Sequence, residues 1–165
     1  NKEKDMNRAN IFYNIENQIR DADGYKGGVT LERRVEVSSA EMLALRATAK
    51  ELIPAPGANQ VLEFVSVVIK YIADDTGYTE SSANLVVQYS GGQDVCTAID
   101  ATNFIDQTTD EIRVAHLSET ALATTVDLEA IKNTSFVLFN NGAAEWTLGD
   151  GKLDVRVMYR VHDFS

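Results

Sequence analysis

The sequence predicts an all-β protein: an antiparallel β-sandwich of jelly-roll or Greek-key type, with one or two short helices and an extended N-terminal arm. Short segments of alternating apolar and polar residues recur along the 165-residue chain, and turns rich in Gly, Asn and Asp separate them. Strands and helices do not alternate regularly, which argues against a parallel sheet. A sandwich is a usual solution at this size. We divide the chain into an arm and hinge, residues 1–30, and a β-sandwich domain, residues 31–165.

The arm is polar, rich in Asn, and contains a single apolar cluster. Three of its isoleucines recur at every fourth position, as on one side of a helix, but the neighbouring asparagines are poor helix formers. The segment DADGYKGG, residues 21–28, carries three glycines and predicts a hinge, with a disordered tail as the alternative for the arm. The partner-binding candidates of the arm are the members of this cluster: Ile11, Phe12, Tyr13, Ile15 and Ile19.

The body opens with LERRVEVS, which predicts a strand from Leu31. SSAEMLALRATAKEL then predicts a short helix or helical turn, because Ser38 or Ser39 is a suitable N-cap with Glu41 close behind. Its apolar face is formed by Met42, Leu45 and Ala49.

Both prolines of the chain, Pro54 and Pro56, follow this helical segment. Each fixes its own φ and pushes the preceding residue out of the helical region. We therefore expect the proline turn to end the helix, with Gly57 supplying the freedom to enter the next strand.

Two long alternating segments follow. QVLEFVSVVIKYIA predicts a strand with one face formed by Val65, Val67, Ile69 and Tyr71. A polar loop of hairpin length, DDTGYTESS, leads into a second strand, ANLVVQYSGG, which ends at its two glycines.

The middle of the chain predicts a helical turn at AIDATNFID and a short strand at DEIRVAHL. SETALATTVDLEAIKN is ambiguous between a helix and a Thr-rich strand, and its threonines favour the strand. TSFVLFN predicts a strand bounded by an NNG turn. GDGKLDVRVMYRVHDF has the strongest alternation, with one predicted buried face: Leu153, Val155, Val157, Tyr159 and Val161.

Charge excludes some function classes. The net charge of −10 argues against a nucleic-acid partner, which requires a clustered basic surface. Residues 1–34 carry a net charge near +1 and the remainder near −11, which suits the arm to a different surface from the body. The alternative is that the acidic surface only maintains solubility. The longest apolar stretch is interrupted by Glu63, Ser66 and Lys70, which argues against a membrane role. The lone Cys96 predicts a small packed residue.

No catalytic signature is found. His116 and His162 lie outside any recognised motif, and the acidic pairs resemble solvated turn residues more than a calcium loop. We therefore expect no enzyme activity, no cofactor and no metal site. Tyr78 and Trp146 fall in predicted loops and are candidates for contact with a partner or a sugar, with core packing as the alternative.

Two stretches carry a family resemblance. VEVSSAEMLALRATAKELIPAPGANQVLEFVSVVIKY and, at the end, NTSFVLFNNG with GDGKLDVRVMYRV resemble small virion proteins of tailed bacteriophages, in which an "sAe(L/I)xaLxatpxeLvpApGaxxvi" stretch opens a β-sandwich and a "GdgxlxvxvxYrv" strand closes it. LVVQYSGG lies between them. The resemblance covers about residues 31–163. Ala49 stands where the pattern often has proline.

This resemblance implies a non-enzymatic capsid cement or decoration protein on the virion surface. Its expected partner is the major capsid protein, with self-association as a dimer or trimer, and the arm reaching neighbouring subunits. The alternative is a tail- or fibre-associated module for adaptor contacts, or for host glycan binding through Tyr78 and Trp146.

Overall fold

A computed structural model of the chain describes residues 29–79, 84–118 and 126–164, and the backbone of two dipeptides near the end of the arm. These dipeptides, β1 (Arg20–Asp21) and β2 (Gly24–Tyr25), form an antiparallel pair. β2 and half of β1 fall inside the segment that we predicted to be a hinge. The apolar cluster of the arm, from Ile11 to Ile19, lies outside the described residues.

The body contains eight strands and two short helices among its described residues. The strands are β3 (Leu31–Val37), β4 (Lys50–Ile53), β5 (Gln60–Ile72), β6 (Asn84–Tyr89), β7 (Ile99–Asp100), β8 (Glu111–His116), β9 (Phe136–Asn140) and β10 (Lys152–Asp163). The helices are α1 (Ser39–Leu43) and α2 (Leu128–Ile131). The predicted all-β class is confirmed.

The eight strands form two antiparallel four-stranded sheets. One sheet, here called the β10 sheet, has the order β3-β10-β5-β8, and the other, the β9 sheet, has the order β4-β9-β6-β7. Successive strands pass back and forth between the sheets except at β6 and β7, which are neighbours in the β9 sheet. Eight strands wound in this way form a jelly roll. This was one of the two sandwich topologies that the sequence predicted.

The longest strands, β5 and β10, pair along their whole length in the middle of the β10 sheet. Leu153, Val155 and Val157 of β10 are fully buried, as the alternation predicted. On β5 the expected single face is wrong in one detail. Ser66 pairs with Met158 and Phe64 pairs with Tyr159, so Val65 is an extra residue in a β-bulge.

The bulge moves the core-facing positions of β5 by one residue. Beyond it, Val67, Ile69 and Tyr71 face the core as predicted, whereas before it the core is reached by Leu62 and Phe64 instead of Val65. The long strand therefore contributes apolar side chains along its full length despite the break in its period.

The prolines do lead into β5 through Gly57, as predicted, but the prediction that they end the helix was wrong. α1 begins at the expected cap, where the Ser38 hydroxyl and the Glu41 side chain form a capping box, but it ends at Leu43. β4 lies between α1 and the prolines. Pro54 and Pro56 therefore separate two strands of different sheets. They occupy the crossover from β4 to β5, where a missing backbone N–H costs no ladder hydrogen bond.

Two further expectations need correction. The loop after β5 is not a hairpin, because β5 and β6 belong to different sheets. The segment from Ser118 to Asn133 was expected to favour a strand, but its described part forms α2, capped by Asp127. Thr120, Thr124 and Thr125 lie outside the described residues. AIDATNFID contains β7 and, after it, a turn in which the Phe104 and Ile105 N–H groups donate to the Ala101 carbonyl.

The core fills the space between the two sheets with apolar side chains from both. Phe64 and Phe136 meet edge to face across the sandwich with ring centroids 6.1 Å apart. Tyr89 is buried beside Phe136 and its hydroxyl donates to the Leu62 carbonyl, and burial raises the pKa of Tyr89 to about 12. Cys96 is buried as expected, and burial raises the pKa of its thiol to about 11.

Candidate interaction surfaces

The two loop aromatics proposed as contact residues are not on the surface. Tyr78 and Trp146 are each 2% exposed, and their ring centroids lie 6.2 Å apart. The structure does bring them together, but as part of an aromatic cluster that also contains Tyr71 and Phe104. Their ring faces are covered by the fold, so the expected contact role is corrected to core packing.

The loop before β10 closes over this cluster. The Tyr78 hydroxyl donates to the Gly151 carbonyl at 2.6 Å, and burial raises the pKa of Tyr78. A Cβ at Gly149 would lie 2.4 Å from the Tyr78 ring, and one at Gly151 would lie 2.5 Å from the Tyr71 ring. The GDG sequence is therefore required for close approach of backbone to aromatic rings. In the sequence, the glycines of GDG are the signal for this close approach.

The two histidines are on the outer side of the β10 sheet. His116 is exposed at the end of β8. His162 Nε2 lies 2.6 Å from Glu63 Oε2 on the neighbouring strand β5. Arg160 Nη1 approaches the same carboxylate at 3.2 Å, and its Nε donates to the Thr30 hydroxyl. His162 is thus held in a cross-strand ion cluster.

Two residues of the acidic pairs lie in turns, where their carboxylates accept hydrogen bonds from the backbone. The Asp150 carboxylate accepts from the Thr76 N–H, and Asp110 accepts from the Ala73 N–H and contacts Lys70 Nζ at 2.6 Å. Among residues 29–79, 84–118 and 126–164, no three His, Cys, Asp or Glu side chains are grouped to hold a metal ion. No helix in the described part of the chain is long and apolar enough to cross a bilayer.

The outer face of the β10 sheet is a mosaic of paired charges. Four ion pairs join side chains across this face and its rim: Arg34–Asp154, Lys70–Asp110, Lys152–Glu36 and Arg156–Glu32. Together with the Arg160–Glu63 pair they bring five basic and five acidic groups, so the charges on this face balance on a chain of net charge −10.

The ion pairs lower the pKa of two of these carboxyl groups. A hydrogen bond from Arg34 lowers the pKa of Asp154, and a hydrogen bond from Lys70 lowers the pKa of Asp110, with the Ala73 N–H adding to the second effect. Both carboxylates therefore stay charged well into the acidic range. Because the pairs are solvent-exposed, we expect them to define the charge pattern more than to stabilise the fold.

Strand β8, at the edge of this sheet, has its polarity reversed. Ile112 is 58% exposed and Val114 is 54% exposed, while Arg113 points to the core side and covers the buried Phe104 ring at 5.0 Å from its centroid. Val114 pairs with Val68 of β5, so that apolar groups are continuous across the two strands. The sequence predicted this strand but not its orientation, because the alternation of EIRVAH by itself would place Ile112 and Val114 on the buried side.

A groove of about 410 Å³ lies on the same face. Apolar side chains from three strands, Val68, Ile112 and Met158, line it, and Lys70, Arg156 and Glu32 form its charged rim. A second groove of about 270 Å³ lies beside the proline turn, where Pro54, Leu62 and Tyr159 meet Leu31, the first residue of the body. These two grooves are the candidate interaction sites that sequence reasoning missed, because strands from distant parts of the chain form each one.

No family model matches the chain, and no curated protein matches it. Among solved structures, the chain is similar to a chain of a structure titled "Cyanophage Pam1 capsid asymmetric unit". The identity is 16% and the TM-score is 0.45, and the alignment covers 83% of this chain and 87% of that chain. A similarity of this size leaves fold and function to be argued from the chain itself.

Proposed function

We propose that this chain is a non-enzymatic structural protein of a bacteriophage virion, a capsid cement or decoration protein that binds the lattice of the major capsid protein. The observation that carries the proposal is the jelly-roll body, whose strand order alternates between two four-stranded sheets. Jelly rolls are the frame of viral capsid domains, of lectin domains and of cupins. To choose among these three classes of protein, we consider which side chains of this body are buried and which are exposed.

Packing of the interior favours the capsid role over the other two. The space between the sheets, where a cupin holds its ligands, is filled here by side chains such as Leu52, Leu62 and Val67. The aromatic residues that a lectin would present, Tyr78 and Trp146, are buried in that same interior. On an otherwise acidic exterior, the body has one charge-balanced face with exposed apolar groups, the outer face of the β10 sheet. Such surfaces are typical of protein–protein contact.

The stretches that resemble phage virion proteins are the architectural parts of this body. The Pro-Ala-Pro-Gly turn makes the crossover from β4 to β5, and the closing stretch is β10, which lies between β3 and β5. The resemblance therefore involves the residues that determine this jelly roll. This supports carrying over the structural role that the family implies.

The arm is the second part of the proposal. Residues 1–30 reach neighbouring subunits on the shell, and the apolar side chains of Ile11, Phe12, Tyr13, Ile15 and Ile19 make the contacts. With many copies on one particle, individually weak contacts add through multivalency. The near-neutral charge of this segment avoids the repulsion that the acidic body would meet.

The test mixes purified protein with capsids that lack it and measures occupancy by gel densitometry and cryo-electron microscopy. The full chain is compared with a variant lacking residues 1–28, whose fold is checked by circular dichroism. We expect the body to stay folded and its occupancy to fall at least about tenfold. A full-length variant with serine at the five apolar positions keeps the arm length and charge, and we expect it to behave like the deletion.

Two results would contradict the two parts of the proposal separately. If the full chain neither bound shells nor occurred in purified virions, the cement function would be lost. If the deletion variant decorated shells to full occupancy, the body alone would suffice and the role of the arm would be lost.

A further inference from the structure

We propose that the outer face of the β10 sheet, at its β8 edge, binds a second copy of this chain in a two-fold symmetric dimer. The contact surface consists of Ile112 and Val114 of β8, Val68 of β5 and Met158 of β10, surrounded by the four ion pairs described above. This inference does not depend on the proposed function.

The first argument is the reversed polarity of β8. On an edge strand that faces water, the apolar side chains are expected to point to the core and the charged ones to solvent. Here Arg113 points to the core side, and Ile112 and Val114 point outward at more than half exposure. Placing two β-branched apolar residues outward is unfavourable unless another surface covers them.

The second argument excludes pairing through the strand edge. A charged side chain directed inward from an edge strand is a recognised way of discouraging edge-to-edge association, and Arg113 fills that role on β8. The Thr97 N–H donates to the His116 carbonyl, so one end of this edge is also occupied. The surface left for a partner is therefore the face of the sheet and not its edge.

The third argument identifies the partner as a second copy. Two molecules that each carry a net charge of −10 repel one another over most of their surfaces. On this face the basic and acidic groups are equal in number and already paired, so two copies can approach here without net repulsion. A two-fold axis brings the same patch together from both molecules, which lets Arg156 of one face Glu32 or Asp154 of the other.

The groove gives this contact its shape. The twist of the sheet leaves a concave region of about 410 Å³ over Val68, bounded by Ile112 and Met158. An exposed β-branched side chain of the second copy, such as Val114, is of suitable size to enter it. The apolar contact supplies the attraction, and the charge mosaic fixes the orientation.

The experiment measures the mass of the full chain by sedimentation velocity between about 1 and 200 μM. We expect a concentration-dependent dimer. In the Ile112→Glu/Val114→Glu variant we expect the dissociation constant to rise at least about a hundredfold, because four carboxylates would be buried at the contact. The matched control is Leu128→Glu/Leu148→Glu, which adds the same charge at apolar positions that are 40% and 67% exposed outside this face, and it should dimerise like the unmodified chain.

A second variant distinguishes loss of the dimer contact from loss of folding. Ile112→Thr/Val114→Thr keeps β-branched residues in the strand and adds no charge, and we expect the dimer to weaken about tenfold. A monomeric unmodified chain at the highest concentration would overturn the proposal, as would a dimer or trimer that both variants leave unchanged. Slow amide exchange on β8 in a monomer, made fast by removing residues 1–28, would place the arm on this face and would equally overturn it.

Discussion

Tyr78 and Tyr71 have adjacent rings and opposite hydrogen-bonding situations. The Tyr78 hydroxyl donates to the Gly151 carbonyl, whereas Tyr71 Oη is buried without a hydrogen-bond partner among the described residues. Trp146 Nε1 is also buried without a hydrogen-bond partner among the described residues. A buried polar group without a partner costs free energy, whereas a satisfied one contributes a modest net stabilisation. The two tyrosines therefore allow a matched comparison at the scale of one atom.

We predict that Tyr78→Phe lowers the free energy of unfolding by about 1–2 kcal/mol, because it leaves the Gly151 carbonyl without its partner. Tyr71→Phe removes an unsatisfied hydroxyl and should be neutral or stabilising by up to about 1 kcal/mol. Urea unfolding of both variants, followed by far-ultraviolet circular dichroism, measures the difference. Equal losses in the two variants would show that the hydroxyl of Tyr71 is bonded after all.

At the scale of elements, α1 depends on its cap. Glu41 accepts hydrogen bonds from Lys50 at the start of β4 and from the backbone of Ser38, the N-cap residue. The Lys50 ammonium, followed by the Ser38 N–H, lowers the pKa of Glu41 from 4.5 to about 2. The carboxylate thus joins the helix start to the strand that follows. The sequence indicated this cap, because Ser and Glu stand three residues apart.

This cap predicts a loss of stability in acid. Since the folded-state pKa of Glu41 is below its unfolded value, its contribution is complete above pH 4.5 and is lost as the pH falls towards 2. We expect Glu41→Gln to be less stable than the unmodified chain at about pH 6 and to lose less on acidification to about pH 2.5. Urea midpoints at both pH values test this. Glu51→Gln, an exposed position on β4, is the control, and an identical pH dependence in all three proteins would contradict the prediction.

The bulge in β5 makes a second prediction at this scale. Val65, which lies between Phe64 and Ser66, is the only residue of β5 without a partner on β10. Deleting Val65 therefore gives a regular ladder along the whole strand. We expect the Val65 deletion to fold with a loss of about 1–3 kcal/mol. Deletion of Val68 should prevent folding, because it turns buried positions of β5 to the outside. Thermal melts followed by circular dichroism compare the two, and similar behaviour would place the irregularity elsewhere.

For the whole molecule, the distribution of charge matters more than any single pair. The chain carries 25 acidic and 15 basic residues, yet the outer face of the β10 sheet is balanced. Copies that associate through this face still hold their remaining acidic surfaces near one another. Electrostatic repulsion between the bodies then opposes the apolar attraction at the contact.

We therefore predict that salt tightens the dimer. Raising sodium chloride from about 20 to 300 mM shortens the Debye length to less than the size of the body and screens this repulsion. The dissociation constant measured by sedimentation should fall by about threefold to tenfold. The Leu128→Glu/Leu148→Glu control should show a stronger salt effect, because it adds repulsion without changing the contact. A dimer weakened by salt would show that ion pairs between the copies dominate the contact.

The sequence by itself determined six of the eight strands of the described body and most of the buried faces of β5, β6 and β10, but it placed β4 in a helical segment and β7 in a helical turn. These faces were predictable because a period of two is a local property, readable in Leu153, Val155 and Val157 without knowledge of the neighbours. Local chemistry also predicted the cap of α1. Local chemistry did not predict the bulge at Val65 of β5, because this bulge depends on the length and register of β10.

Only the tertiary structure decided which sheet each strand joins, because loop length and composition are the same for a hairpin and for a crossover between sheets. The loop after β5 therefore has the length of a hairpin but joins the two sheets, and the prolines lie in the crossover from β4 to β5 and not at the end of a helix. Burial of Tyr78 and Trp146, and exposure of Ile112 and Val114, were decided in the same way. Whether a side chain is covered depends on strands far away in sequence, and the jelly roll brings them together only when the two sheets close.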